Sequence, residues 1–297
     1  MLNTKSVSII IVNYNTPSLT IECVNSIFDN VKSCRYEVII IDNSSSDNSA
    51  KIISSKFRDR IVLIESPVNL GFGRANNLGA TKAQYDYLFF LNSDTVLKND
   101  PFDYFFNFYY QTKNVGALGT YLFDGKGNYT LSGGYTYSIK KYLKTACRSY
   151  LAPKMNFEVE LSNKVQKVDY VIGADIFISA ELFNEVGGFD PKIFMYFEDV
   201  KLCRQLNDLG FTNYLIPGPR IIHYVSSSSA SQFSRVHNTS SMMYCISQKS
   251  SNFKFRIFQS IYFILKLPII FKSRNISNEI KYLDSIINYK KYLNKDI

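Results

Sequence analysis

The chain of 297 residues has no tryptophan, two histidines, and five cysteines that never fall into pairs. Cys23, Cys34, Cys147, Cys203 and Cys245 are scattered, without the close spacing that a zinc knuckle or a redox centre requires. That absence excludes a cysteine-built metal module and fits a reducing compartment. Also missing is a basic start followed by a long apolar stretch and a small-residue cleavage site, because Met-Leu-Asn-Thr-Lys-Ser runs straight into a strand-like segment. The expectation is a cytosolic protein. The mostly apolar stretch from Ile257 to Phe271 is broken by Lys266 and Pro268. It falls short of the roughly 20 residues that a spanning helix needs.

Acidic residues are scarce in one place. From residue 249 to the end there are ten Lys or Arg against three acids, so this tail carries +7 of the chain's net +9. The remainder is close to neutral. With 46% hydrophobic and 20% charged residues the composition is that of a globular protein, long enough for one large domain or a domain with an appendage. We expect domains at 1–225 and 226–297, the second being a basic, aromatic helical extension.

Val7-Ser-Ile-Ile-Ile-Val12 and Tyr36-Glu-Val-Ile-Ile-Ile41 are β-branched runs without polar alternation, the pattern of strands buried on both faces. Ile61 to Ile64 and Tyr87 to Leu91 repeat it. Between them lie helical stripes: one after Thr16-Pro17, which reads as a cap followed by proline at the first helical position, one through Ile52, Ile53 and Phe57, and one over Arg74 to Gln84. The alternation predicts a mostly parallel α/β sheet flanked by helices, in which ligands bind beyond the carboxyl ends of the strands. Asn13, Asp42 and Asp94 fall there. An aromatic helix follows Pro101 and leads into Val115-Gly-Ala-Leu-Gly-Thr-Tyr-Leu122. Residues 124 to 165 predict a hairpin and a mobile loop, 168–172 a strand, 180–186 a helix, 199–209 another, and 212–216 and 220–225 two more strands. Serines 226 to 229 and 231 read as a linker before the basic tail.

Val-Ser-Ile-Ile-Ile-Val-Asn13-Tyr14-Asn, Ile-Asp42-Asn-Ser-Ser, Asn69-Leu-Gly71-Phe-Gly-Arg74-Ala-Asn-Asn77, Leu-Asn92-Ser93-Asp94 and Gly188-Phe-Asp…Phe-Met-Tyr-Phe-Glu198-Asp199 stand in this order between residues 5 and about 225. Together they resemble the inverting family 2 glycosyltransferases of the GT-A fold, in particular the bacterial rhamnosyltransferase-like branch. Any one of these motifs alone would be weak.

The resemblance implies a nucleotide-sugar donor, with deoxythymidine-diphosphate rhamnose the first choice, and a lipid-linked or polysaccharide acceptor. It puts Asn13 and Tyr14 under base and ribose and Asp42 at hydrogen-bonding distance from base or sugar. The alternative for Asp42 is a cap on the following loop. Asn69, Gly71 and Arg74 would form a turn and a cation beside the donor. Asn92-Ser93-Asp94 corresponds to the family's Asp-x-Asp motif with its first acid replaced, leaving Asp94 to hold Mg2+ or Mn2+ and His223 as second ligand. A hydrogen-bonded strand histidine is the alternative for His223. Gly173, Ala174 and Asp175 would line the sugar pocket, or simply turn the chain between strands. Asp199 is the implied general base, with Glu198 beside it and the aromatic run 194–197 as acceptor platform. Its place at a helix start predicts a depressed pKa. Lys201 stands where the family usually has an acid.

The basic tail, with Lys254, Arg256, Lys266, Lys272 and Arg274 among aromatics, fits an anionic membrane surface on the inner face of the plasma membrane. A helix packed on its own catalytic domain or on a twin subunit is the other reading. Two further alternatives stay open: the same fold with a uridine-diphosphate sugar, and a nucleotide or nucleic-acid binding module without transferase activity, suggested by the tail and the many tyrosines. The lack of a recognisable RNA motif counts against the last.

Overall fold

The run of Ser6–Asn13 forms strand β1, and its alternation decides the layers of the fold. Val7, Ile9 and Ile11 enter one core and Ile10 the other, because successive side chains of a strand leave on opposite faces. The computed structural model describes residues 5–135, 139, 142–143, 159–224, 232–272 and 275–293. The chain divides into two compact units, one of Met1–Tyr135, Glu158–Asp190 and Asp199–Val225, the other of Thr136–Phe157, Pro191–Glu198 and Ser226–Ile297.

In the first unit, β1 is followed by helix α1 (Pro17–Asn30), β2 (Arg35–Asp42), α2 (Ser49–Phe57), β3 (Val62–Glu65), α3 (Phe72–Ala80) and β4 (Tyr87–Asn92). Strands β3, β2, β1 and β4 are neighbours in that order and all parallel, as expected for βαβ units. Short β5 (Thr95–Leu97), α4 (Phe102–Gln111) and β6 (Val115–Phe123) follow. The segment after β6 returns on itself at Asp124–Asn128 with Gly127 at φ 84°, giving the expected turn. The expected mobile loop falls mostly outside the described residues, as does the serine linker.

The carboxyl half departs from the sequence-based expectation. One strand over 168–172 is replaced by two, β8 (Gln166–Val168) on the main sheet and β9 (Tyr170–Val171), which pairs β7 (Gly133–Gly134) in a separate small sheet. Asp175–Ser179 is a strand, β10, inserted antiparallel between β4 and β6. Helices α5 (Ala180–Glu185) and α6 (Glu198–Asp208) come next, then a single long strand β11 (Thr212–His223) in place of two. Gly218, at φ 107°, marks the irregularity where β11 shifts register against β6 between Ile216 and Ile221.

Helices α1, α2 and α4 cover one face of the sheet through Cys23, Val24, Ile27, Ile53, Phe57, Phe102, Phe105 and Phe106. Ala75 from α3, Leu182 and Phe183 from α5, and Leu202, Cys203 and Leu206 from α6 cover the other. At the centre, Phe177 of β10 stacks on Phe105 with ring centroids 4.9 Å apart and on Tyr87 at 5.2 Å.

The second unit is helical: α7 (Gln232–Lys249), α8 (Asn252–Lys266) and α9 (Ile276–Ile287), closed by a 3-10 turn at Tyr289–Tyr292. Met243, Phe258, Leu283 and Ile286 form its core. Arg235 of α7 grips the buried Glu279 of α9 through two bonds, at 3.0 and 2.7 Å. No helix among the described residues is long and apolar enough to cross a membrane.

Candidate functional site

The carboxyl ends of β2, β1 and β4 form one edge of the sheet, with Asn13 in register with Asp42 and Val12 with Asn92. Because β10 runs the opposite way, its first residue, Asp175, reaches the same edge opposite Leu91. Adjacent strands are about 4.8 Å apart, so the ends of β2 and β4 are separated by roughly 10 Å. Most site residues proposed from sequence in the first unit lie on this edge or on a loop leaving it, while Arg74 lies in α3 and Asp199 in α6.

Asn13 is fully buried. Its amide nitrogen donates to Asp42 Oδ1 at 2.7 Å and Ser45 Oγ at 3.1 Å, and its oxygen accepts from Thr16 at 3.3 Å and Thr20 at 2.7 Å. That amide has no valence left for a ligand. The expectation that Asn13 sits under a base is therefore corrected: it is a strut that aims Asp42. The same bonds explain why Thr16 occupies the cap position of α1 without capping it by its side chain. Tyr14, next along, is 44% exposed and free to stack on a planar group. For Asp42 the cap on the following loop is what the structure shows, since Oδ2 accepts the Ser45 N–H at 3.0 Å, with the carboxylate placed at the sheet edge.

The turn at Asn69 to Gly71 is tied to the end of β2 by Asn43, which sequence reasoning passed over. Asn43 donates to Asn69 Oδ1 at 3.0 Å and accepts from the Leu70 N–H at 2.8 Å. Asn69 Oδ1 also accepts the Gly71 N–H at 2.9 Å, and Gly71 takes φ 74° as the residue preceding α3. Arg74 turns back, its Nε donating to the Leu70 carbonyl at 2.6 Å. From the same helix, Asn77 bonds both the N–H and the carbonyl of Phe189, at 2.9 and 2.8 Å. The signal for Asn43 and Asn77 was present as asparagines inside the motifs, but nothing in the sequence says what they hold.

Asp94 Oδ1 lies 3.3 Å from His223 Nε2, and Asn92 Nδ2 lies 3.4 Å from the same nitrogen. Pairing of β5 with β11 brings them together, since His223 stands opposite Thr95 and the Tyr224 N–H donates to the Asp94 carbonyl. A carboxylate oxygen and an imidazole nitrogen at this separation match neighbouring ligands on one cation with bonds of about 2.1 Å. The donor set is mixed, and no cluster of three or more His, Cys, Asp or Glu occurs among the described residues. Asp94 and His223 are thus two protein groups that would fit a divalent ion. His223 Nδ1 is buried with no hydrogen-bond partner among the described residues. Ser93 Oγ faces Thr16 Oγ1 at 3.5 Å.

Asp199 reaches the edge through the loop that precedes β10. The Gly173 N–H donates to Asp199 Oδ2 at 2.9 Å, and the Ala174 carbonyl accepts the Asn92 N–H at 2.9 Å. The Val200 N–H donates to Asp199 Oδ1 at 2.7 Å. Burial pushes the Asp199 carboxyl above its ordinary range, and the N–H bonds from Val200 and Gly173 pull it down without cancelling that effect. This reverses the expected depression: desolvation outweighs the helix start. Glu198, the first residue of α6, is buried at 5% exposure. Lys201 forms an ion pair with Asp190.

Asp175 does not line a sugar pocket. It is fully buried, its Oδ2 accepts the Thr120 N–H at 2.7 Å, and desolvation pushes its pKa up to about 8. It is a neutral acid inside the sheet at neutral pH.

Over residues 8–187 the chain matches the family described as Glycosyl transferase family 2. It is 36% identical over 134 residues to an uncharacterized glycosyltransferase of Haemophilus influenzae, covering 43% of this chain and 52% of that protein. It is 29% identical over 178 residues to rhamnosyltransferase WbbL of Escherichia coli, covering 56% of this chain and 65% of the relative. These matches span between half and two thirds of the relatives' lengths. In fold, the chain resembles a crystal structure of GalNAc-T7 with UDP, GalNAc and Mn2+, at a TM-score of 0.67 and 16% identity, over 100% of this chain and 57% of that one.

Proposed function

The chain belongs to glycosyl transferase family 2, and from that premise we propose that it is an inverting transferase. It moves a sugar, with L-rhamnose from deoxythymidine-diphosphate rhamnose as first choice, from a nucleotide-sugar donor to a lipid-linked or polysaccharide acceptor. The observation that carries the reading is the Asp199 carboxylate held by the Gly173 N–H, beside Ala174, whose carbonyl accepts the N–H of the same Asn92 whose side chain lies 3.4 Å from His223.

Transfer with inversion needs a base on the face opposite the departing diphosphate. The acceptor hydroxyl oxygen bonds the anomeric carbon as the bond from that carbon to the diphosphate oxygen breaks, and the hydroxyl proton passes to Asp199. A carboxylate whose pKa is raised by burial is a stronger base than one in water, which suits the task. Asp94 and His223 would hold a divalent ion, Mg2+ or Mn2+, which when bound neutralises charge on the diphosphate. Tyr14 and Asp42 are the groups at the β1 and β2 ends for base and ribose, with Asn69, Gly71 and Arg74 beside them, while Asn92, Ser93, Gly173 and Ala174 line the path between donor and base.

A uridine-diphosphate sugar is the second reading of the donor, favoured by the fold likeness to an enzyme crystallised with UDP. Contact of the second unit with the inner face of the plasma membrane completes the proposal, since a lipid-linked acceptor is presented there. The test is a panel of nucleotide sugars scored for thermal stabilisation and hydrolysis with and without Mn2+. Stabilisation by deoxythymidine-diphosphate rhamnose above the others supports the first donor. Indifference to every nucleotide sugar removes the transferase reading.

A further inference from the structure

We propose that helix α8 and the turn at Tyr289–Tyr292 form a docking face for an anionic lipid bilayer, with an apolar stripe for the interface and a basic cavity for a phosphate headgroup.

Phe253, Ile257, Ile261 and Ile264 are 75%, 45%, 39% and 61% exposed. Their spacing of four, four and three residues keeps them inside an arc of about 80° on a helix with 3.6 residues per turn. On the opposite side of α8, Phe255 and Phe258 fill the core of the second unit. The helix therefore has two apolar faces, and its own unit uses only one. Four large side chains aligned in solvent are a patch, and not the scattered exposure of an ordinary surface.

Charge says what the patch meets. Lys254 and Arg256 border the stripe on its two sides, and neither has a carboxylate partner among the described residues. Beside Arg256 opens a cavity of about 560 Å³, lined by Asn252, Arg256 and Gln259 of α8 and by Asn288, Lys290 and Lys291. No carboxylate lines it. Gln259 fixes its floor by donating to the Ile286 and Ile287 carbonyls at 2.7 and 3.1 Å. The acids nearest in sequence, Glu279 and Asp284, are taken up by Arg235 at 2.7 Å and Lys291 at 3.1 Å. Two cations without a carboxylate partner among the described residues, Arg256 and Lys290, in a cavity next to an apolar stripe match a phosphate headgroup above acyl chains. A protein partner would need opposing acids and a shaped groove, whereas a bilayer asks only for this alternation.

The proposal deepens the membrane part of the functional reading, and its test does not depend on transfer. The full chain is sedimented with phosphatidylcholine vesicles with and without phosphatidylglycerol. Pelleting only with the anionic vesicles is expected. Arg256→Ala and Lys290→Ala should each weaken the association about fivefold, and Phe253→Ser with Ile264→Ser should remove it, with nucleotide-sugar hydrolysis in lipid-free buffer unchanged. Because the chain has no tryptophan, Phe253→Trp supplies a lone indole, excited apart from the tyrosines, whose emission should shift to the blue on adding anionic vesicles. Unchanged emission, equal pelleting with neutral vesicles, or a serine variant that pellets like the parent overturns the proposal. So does a serine variant that turns a dimer into a monomer without altering pelleting, which would make the stripe an interface between copies.

Discussion

The backbone N–H of Gly173 donates to Asp199 Oδ2 at 2.9 Å, joining a loop that precedes the central antiparallel strand to the first turn of a helix 26 positions further on. A Cβ at residue 173 would lie 3.1 Å from the Phe72 ring and 3.7 Å from that carboxylate oxygen. Residue 173 is therefore small because the amide must come close. The bond fixes the carboxyl plane, and with the Val200 N–H on Oδ1 it leaves each oxygen one lone pair for an incoming proton.

Asp199→Asn should lower kcat by about 10²–10⁴-fold while leaving the donor affinity within a factor of about three, as read by calorimetry with the nucleotide sugar. Because burial raises the Asp199 pKa, kcat/KM of the parent should fall with acidity from a pH above the ordinary carboxylate range, as the base takes up its proton. A parent profile flat down to pH 4 would remove Asp199 as the base.

Asp94→Ala and His223→Ala should both weaken the response to Mn2+, the first more because it removes charge as well as a ligand. The measurement is the midpoint of thermal stabilisation by nucleoside diphosphate over a Mn2+ titration. A His223→Ala midpoint equal to the parent's would leave the histidine a strand residue bonded to Asn92 and nothing more.

The parallel half of the sheet was legible because β-branched runs such as Val7 to Val12 need no partner to declare themselves. Strand β10 was hidden. It is five residues long, begins with an acid and passes without a loop into α5, so neither length nor alternation marks it. The site was legible as residue types at strand ends, and illegible as roles. Asn13 and Asp42 are equally polar at equivalent ends, and only the hydroxyls of Thr16, Thr20 and Ser45 decide that one is consumed as a strut. The Asp199 pKa shows the same limit: a helix start can be read locally, whereas desolvation comes from residues that the sequence holds far apart.

Asn43 is the test of the strut logic. Its side chain holds Asn69 and Leu70 through bonds of 3.0 and 2.8 Å while 4% exposed. Asn43→Ala should cost about 2–3 kcal/mol of stability and raise the donor KM more than it lowers kcat, since the turn it positions lies beside the donor and away from the base. Equal loss in both parameters would show that the turn also positions Asp199.

Asp175 gives a prediction whose sign is fixed by burial. Its pKa in the folded protein is about 8, and in the unfolded chain it returns to the ordinary aspartate value of 3.8. Between those values the native state holds a proton that the unfolded state has released, so unfolding grows easier as pH rises. The stabilising contribution is complete below about pH 4 and is lost progressively until pH passes 8. Asp175→Asn keeps an oxygen for the Thr120 N–H and cannot ionise. The variant should therefore melt near the parent at pH 4 and several degrees above it at pH 8, with the gap widening steadily in between. A gap independent of pH would mean that Asp175 is ionised inside the sheet, and that some group other than Thr120 stabilises its charge.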